Sequence, residues 1–325
     1  MILLVLVGWD RYENTQETGN ESYTADGTEE QADVKESKET AAKAVAATED
    51  AEAEEDEADK NETGDAIPEE MEELQSNLED FLADKEGTWS VYVKNLNTGE
   101  MVSINNQQIY AASLIKLYVL EDCFQNMDTL MNTVAETEGL DEESCSEKIM
   151  DTITSMITVS DNESYNELIR LKNTDRSFTE GCLALNEAIQ KRGYQDTGVF
   201  HTLGPSYTED EATSDQQNYT SVEDCGALLE SIYNGTCISK EASKEMLDLL
   251  LQQQVLTKIP AGIPEGIAVA NKTGETDEEQ HDVAIVYGEK VDYIICVMST
   301  GLTDTEAAVE NIQWISKTVY DYLNK

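Results

Sequence analysis

Ser113, Leu114, Ile115 and Lys116 put a hydroxyl and an amine three residues apart at what reads as a helix start. Residues at that spacing share a helix face, so the amine can approach the hydroxyl. A serine hydroxyl needs a base near neutral pH, and a partly desolvated lysine can serve as one. The helix start adds unpaired backbone N–H groups and positive potential where an oxyanion would form. By itself the pattern is weak, because Ser-x-x-Lys arises by chance about once in a chain of this size.

Two further groups carry compatible chemistry. Ser160, Asp161 and Asn162 lie in a break between two helical segments. There the serine could relay a proton and the asparagine hold a substrate amide, although all three are also ordinary helix caps. Lys272, Thr273 and Gly274 follow a strand-like run from Gly266 to Ala270. That trio offers an ammonium and a hydroxyl to a substrate carboxylate, and a glycine past which a substrate backbone can slide. The backbone N–H of Glu275 could then complete an oxyanion hole with that of Ser113. Read alone, this trio is also a plain surface turn.

Together, and in this order, the three groups resemble the Ser-x-x-Lys, Ser-Asp-Asn and Lys-Thr-Gly set of class A β-lactamases and penicillin-binding proteins. The resemblance covers about residues 66–325. It extends to Ala111-Ala112-Ser113, to Lys258-Ile259-Pro260-Ala261-Gly262, and to Asn271-Lys272-Thr273-Gly274-Glu275 followed by His281-Asp282, a texture similar to a branch common in Gram-positive bacteria. It implies that Ser113 is acylated, that Lys116 activates it and that Ser160 passes the proton onward. Asn162 would orient the substrate amide, Lys272 and Thr273 would bind its carboxylate, and the N–H groups of Ser113 and Glu275 would form the oxyanion hole. The implied activity is that of a serine hydrolase of the β-lactamase type, acting on β-lactams or related carboxylate-bearing amides and esters.

The resemblance breaks at one point. Class A enzymes deacylate through a glutamate in a Glu-x-x-Leu-Asn motif, and none occurs between Asn162 and Lys272. Glu209 and Glu211 stand in the corresponding loop without the expected neighbours. Acylation is therefore better supported than turnover. The alternatives are a penicillin-binding sensor that stays acylated, a D,D-peptidase acting on D-alanyl peptides, and a scaffold that has lost activity. His201 and His281 read as structural, with His281 as a residue that could orient the strand beside the clamp. Trp89 and Trp314 read as packing residues.

These groups need elements to hold them. Met71, Leu74, Leu78, Phe81 and Leu82 repeat at helical spacing after the capping candidate Asp65 and Pro68. Trp89, Val91 and Val93 alternate, and Asn97-Thr98-Gly99 leads into a second strand from Met101 to Ile104, a hairpin signal. The middle is helical, with segments around Ser113–Phe124, Ile149–Ile157, Tyr165–Leu171, Leu183–Ile189, Cys225–Ile232 and Ala242–Leu251. A long polar stretch from Gly193 to Tyr219 has no clear period. Strands return at Ile267–Ala270, Val283–Tyr287 and Tyr293–Ser299, before a closing helix with Val309, Ile312, Ile315, Val319 and Leu323 on one face. The economical assembly is α+β, with an antiparallel sheet built from both ends, flanked by the terminal helices, plus an all-α lobe. The resemblance implies the β-lactamase/transpeptidase-like version of it.

Composition excludes some partners and suggests a location. The 325 residues carry a net charge of −47. Residues 10–65 hold 20 acidic and 5 basic side chains and almost no large apolar ones, which predicts a disordered, self-repelling tail. The remaining domain, residues 66–325, stays strongly acidic, so nucleic acid is not an expected partner. Met1 to Val7 are apolar but too few to span a bilayer, and residues 1–9 read as a remnant of an export signal. Trp9 stands where a lipoprotein would need its lipid-bearing cysteine. An exported protein, extracellular or at the cell surface with the N-terminus as candidate anchor, is expected. Cys123, Cys145, Cys182, Cys225, Cys237 and Cys296 favour at least one disulfide in such a chain, against buried free thiols as the competing reading. None forms a Cys-x-x-Cys pair, so no metal is expected, nor an organic cofactor. A monomer acting on a small β-lactam or peptidoglycan-like substrate is expected.

Overall fold

Strand alternation decides how the sheet is covered. In the computed structural model, which describes residues 69–204 and 212–325, helix α1 (Glu69–Leu82) precedes a hairpin of β1 (Thr88–Asn95) and β2 (Met101–Ile104). At the far end of the chain, β5 (Ala268–Glu275), β6 (Gln280–Tyr287) and β7 (Tyr293–Thr300) form a meander closed by α9 (Thr305–Asn324). The five strands pair antiparallel in the order β2-β1-β7-β6-β5, with Tyr92 opposite Cys296 and Val283 opposite Cys296 on its other side. Val91, Val93, Ala284, Val286, Ile295 and Val297 pack against Leu74, Leu78, Ile312, Ile315 and Val319 of the terminal helices. Tyr92, Val283, Ile285, Ile294, Cys296 and Met298 point the other way, into the core of the helical lobe. Both faces of β6 and β7 are therefore buried, which is why these strands read as continuous apolar runs. Each fully buried Leu, Ile or Val contributes about 1.5–3 kcal/mol, so the terminal helices are integral to the sheet.

The helical lobe comprises α2 (Lys116–Gln125), α3 (Met127–Glu138), α4 (Glu142–Thr158), α5 (Asn162–Arg170), α6 (Phe178–Arg192), α7 (Val222–Tyr233) and α8 (Lys240–Leu250). Helix α2 is buried from Lys116 to Cys123 and forms the axis of the lobe. Helix α3 is not evident in the sequence: its Asp, Thr and Asn residues are weak helix formers, and its buried face is Leu130, Thr133 and Val134. The fold is thus the expected α+β arrangement, a sheet flanked by terminal helices with an all-α lobe beside it.

Three local expectations need amendment. Strand β5 continues past Ala270 to Glu275, because its ladder with β6 runs on through Thr273–Asp282 and Gly274–His281. Lys272, Thr273 and Gly274 accordingly lie within the strand and not after it. The polar stretch after Gly193 is partly ordered by pairing: Gly198 bridges Tyr219, and β4 (Tyr219–Thr220) pairs with β3 (Ile109–Tyr110). No disulfide forms; all six cysteines are free and buried, among apolar neighbours of the core. Burial pushes the thiols of Cys123, Cys182, Cys225, Cys237 and Cys296 upward, so they stay protonated near neutral pH. The readings of residues 1–9 and 10–65, the cap at Asp65 and Pro68, and Glu209 and Glu211 lie outside the described residues.

A short turn ahead of β5 packs against α9. Pro260–Gly262 packs so closely on the helix that a Cβ on Gly262 would sit 2.4 Å from the Gln313 carbonyl oxygen and 2.8 Å from the Ser316 Cβ. Gly262→Ala should therefore destabilise the protein by about 1–3 kcal/mol, the usual scale of overpacking. Thermal denaturation measures this, and an unchanged midpoint would mean that the turn can shift away from α9.

Candidate active site

Ser113 does not open a helix. It sits in a 3₁₀ turn, Ala112–Ile115, and α2 starts at Lys116. A 3₁₀ turn has three residues per turn, so side chains three apart eclipse each other more closely than on an α-helix. The Lys116 Nζ consequently lies 3.0 Å from the Ser113 Oγ. Ala112, which leads into the turn, has φ 44°, a left-handed conformation that is strained for a residue with a Cβ.

The Ser160 loop joins α4 to α5. Its Ser-Asp-Asn sequence both caps a helix and faces Lys116. The Asp161 carboxylate caps α5 by accepting from the Ser164 N–H at 2.7 Å. Ser160 (φ 60°) and Asn162 meanwhile turn toward Lys116. The Lys116 Nζ donates to the Ser160 carbonyl at 2.5 Å, lies 3.1 Å from the Ser160 Oγ, and donates to the Asn162 Oδ1 at 2.7 Å. Strand β5 brings in the third group. The Lys272 Nζ lies 2.9 Å from the Ser160 Oγ and donates to the Thr273 carbonyl at 2.8 Å. Thr273 is buried beside it, opposite Asp282. A Cβ on Gly274 would lie 3.2 Å from both the Ser113 nitrogen and the Ala111 carbonyl oxygen, so this glycine is where strand and turn meet.

Burial governs the charges. Lys116 and Lys272 are both 0% exposed. Because both amines contact one hydroxyl oxygen, they are at most about 6 Å apart. Two ammonium ions at that distance repel by roughly 3 kcal/mol at an effective dielectric of about 20. Desolvation pulls the Lys116 amine down to about 7, against the opposing pull of Asp161. Desolvation, then the Lys116 charge, also lower Lys272, with Asp282 and Glu275 acting in the other direction. One amine of the pair is thus readily neutral, as a proton acceptor next to a hydroxyl must be.

The residues around this centre hold it in register. Asn162 Nδ2 donates to the Gly204 carbonyl at 2.7 Å. One turn later on α5, the fully buried Asn166 clamps the neighbouring residue, accepting from the Leu203 N–H at 2.9 Å and donating to its carbonyl at 3.0 Å. Asn166 was not among the residues singled out from sequence, although its i+4 relation to Asn162 was a usable signal. His281 is 0% exposed, with Nε2 donating to the Tyr110 carbonyl (2.9 Å) and Nδ1 accepting from the Ser299 N–H (3.2 Å). Burial lowers it to about 4, so it is a neutral strut between β3, β6 and β7. His201 lies in the bridge to Ala212, where its carbonyl accepts from the Tyr165 hydroxyl. Trp89 is buried, donating its Nε1 to the Glu86 carbonyl, whereas Trp314 is 40% exposed and stacks on Phe81.

The chain's similarities to known proteins run in the same direction. A family profile described as "Beta-lactamase enzyme family" matches residues 73–323. A point mutant of PBP-A, solved as its acyl-enzyme complex with penicillin G, is 23% identical over 77% of this chain and 96% of its own, with a TM-score of 0.63. A β-lactamase from Sphaerobacter thermophilus DSM 20745 is 20% identical over 76% and 95%, with a TM-score of 0.60. The TLA-1 extended-spectrum β-lactamase is 17% identical over 79% and 100%, with a TM-score of 0.62. At these identities the solved structures show a shared fold. No curated protein matches the chain in sequence.

Proposed function

Because the chain belongs to the β-lactamase enzyme family, we propose that it is a serine acyl-transfer enzyme whose Ser113 is acylated by β-lactams or related carboxylate-bearing amides and esters. The observation that carries this reading is the Lys116 amine, buried and held between the Ser113 and Ser160 hydroxyls. Neutral Lys116 takes the Ser113 proton as Oγ bonds to the substrate carbonyl carbon. The oxyanion meets the N–H groups of Ser113 and Glu275. As the intermediate collapses, the C–N bond breaks, and the leaving nitrogen receives the proton from Lys116 through the Ser160 hydroxyl. Lys272 and Thr273 hold the substrate carboxylate, and Asn162 its amide.

A second reading concerns the fate of the acyl-enzyme. The loop reaches the Asn162 and Asn166 amides through Leu203 and Gly204, and neither residue carries a carboxylate. Among the described residues, this favours an acyl-enzyme that hydrolyses slowly, as in a penicillin-binding D,D-peptidase or sensor, over a fast β-lactamase.

Mixing the full-length protein with a chromogenic cephalosporin, while tracking colour and intact mass together, tests both. Sustained colour means hydrolytic turnover; a single stoichiometric burst with a stable adduct on Ser113 means acylation alone. Neither colour nor adduct would remove the β-lactam reading. The acylation rate should rise with pH about a midpoint near 7, because only the neutral Lys116 amine accepts the proton. A flat profile from about pH 5 to 9 would count against Lys116 as the base.

A further inference from the structure

Strand β5 is held from behind by a lysine that takes no part in the steps above. Lys258 is 1% exposed, and its Nζ donates to the Gly274 carbonyl at 3.1 Å and to the His281 carbonyl at 3.2 Å. The Glu275 Oε2 lies 3.1 Å away as counter-charge. Gly274 and His281 are register partners, so one amine ties β5 to β6 at the point where the strand meets the Ser113 turn. The segment that delivers Lys258 is itself pinned. The Ile259 N–H donates to the Asp282 Oδ2 at 2.9 Å, and the Ile259 carbonyl accepts from the Ser316 hydroxyl at 2.7 Å. The Asn271 amide holds the other Asp282 oxygen at 3.0 Å.

The Gly274 carbonyl and the Glu275 N–H belong to one planar trans peptide, in which the two groups point in opposite directions. A group that fixes the carbonyl therefore aims the N–H. A cation on the carbonyl also polarises the amide and strengthens that N–H as a donor. On the acyl-transfer reading, this N–H is half of the oxyanion hole. We propose that Lys258 is a positioning residue for the oxyanion hole, acting through the Gly274–Glu275 peptide; the inference rests on that reading.

The test compares wild type, Lys258→Met and Lys258→Arg in the full-length chain. Stopped-flow labelling with a fluorescent penicillin separates initial binding from the acylation rate constant. A boronic acid, whose tetrahedral adduct on Ser113 places an oxygen in the oxyanion position, reports the hole directly. Lys258→Met should lower the acylation rate constant by about 10-fold or more, a fraction of the effect of deleting a whole oxyanion donor. Boronate affinity should fall by a similar factor, initial penicillin binding should stay within about two-fold, and Lys258→Arg should recover most of the loss. If Lys258→Met does not fold, Lys258→Gln, which keeps a donor and loses the charge, gives the same readouts. Wild-type acylation and boronate binding in these variants would overturn the role of Lys258, as would equal losses in binding and rate. A wild type that never labels would instead bring down the acyl-transfer reading beneath it.

Discussion

Lys116→Ala is expected to slow acylation of Ser113 by about 10³-fold, within the range that a positioned general base contributes, and Ser113→Ala to remove the covalent adduct altogether. The reason is geometric. Lys116 places one nitrogen against both hydroxyls of the proposed proton path, and it also organises the Asn162 amide. Loss of function should come without loss of fold. The unfolded chain holds the Lys116 proton up to its ordinary value of 10.5, whereas the folded site releases it near 7. The folded protein therefore binds fewer protons between those values, and stability at this group rises with pH through that window. A variant without the amine escapes the penalty of burying it, so Lys116→Met should unfold no more easily than wild type at about pH 7 and should lack that part of the pH slope. Rapid-quench mass spectrometry and pH-dependent urea denaturation check the two halves separately. Acylation at the wild-type rate in Lys116→Ala would mean that another group is the base.

Leu203→Glu is expected to shorten the lifetime of the acyl-enzyme by about 10²-fold, the lower end of what general-base activation of water supplies. Leu203 is buried, and Asn166 grips its backbone on both sides. The next residue, Gly204, is tied through Asn162 to Lys116. A carboxylate introduced here would be presented by a clamped backbone, one residue from the carbonyl that Asn162 ties to the Ser113–Lys116 centre. The decay of a preformed penicillin adduct, monitored by intact mass, measures the effect. Unchanged decay with normal acylation would show that position 203 does not address the ester, and would turn attention to Glu209 and Glu211.

Much of this site was legible because its residues are unusual in their setting. A lysine three positions after a serine within an apolar run, and a Lys-Thr-Gly at the end of a strand, are polar groups where packing alone would choose apolar ones. The sheet was legible for the converse reason: buried strands read as runs of Val and Ile, and the terminal helices as stripes. What escaped the sequence depends on tertiary contacts. The 3₁₀ geometry at Ser113 and the left-handed backbone of Ala112 and Ser160 have no marker in residue type, since glycine stands at neither position. The extension of β5 through Gly274 is set by the β6 ladder, against the local tendency of Asn271-Lys272-Thr273-Gly274 to turn. Lys258 stood in the sequence only as part of the Lys258-Ile259-Pro260-Ala261-Gly262 run and without a role, because a lysine within bonding range of two carbonyls is defined by strands that lie 16 and 23 residues away. The cysteines misled through their even number, whereas their apolar neighbours gave the better guide.

Those six thiols have a practical consequence. Their positions span both lobes, from α2 through α4, α6 and α7 to the centre of the sheet, and each is at most 2% exposed. A membrane-impermeant alkylating reagent can therefore reach them only when the molecule opens. Pulse alkylation with subsequent peptide mapping would give an opening free energy for each region from a single unmodified protein. Equal protection at Cys145 and Cys296 would show that the sheet and the helical lobe open as one unit, and unequal protection would show that they part before either unravels. The chain thus carries its own map of cooperativity, readable without introducing a single probe.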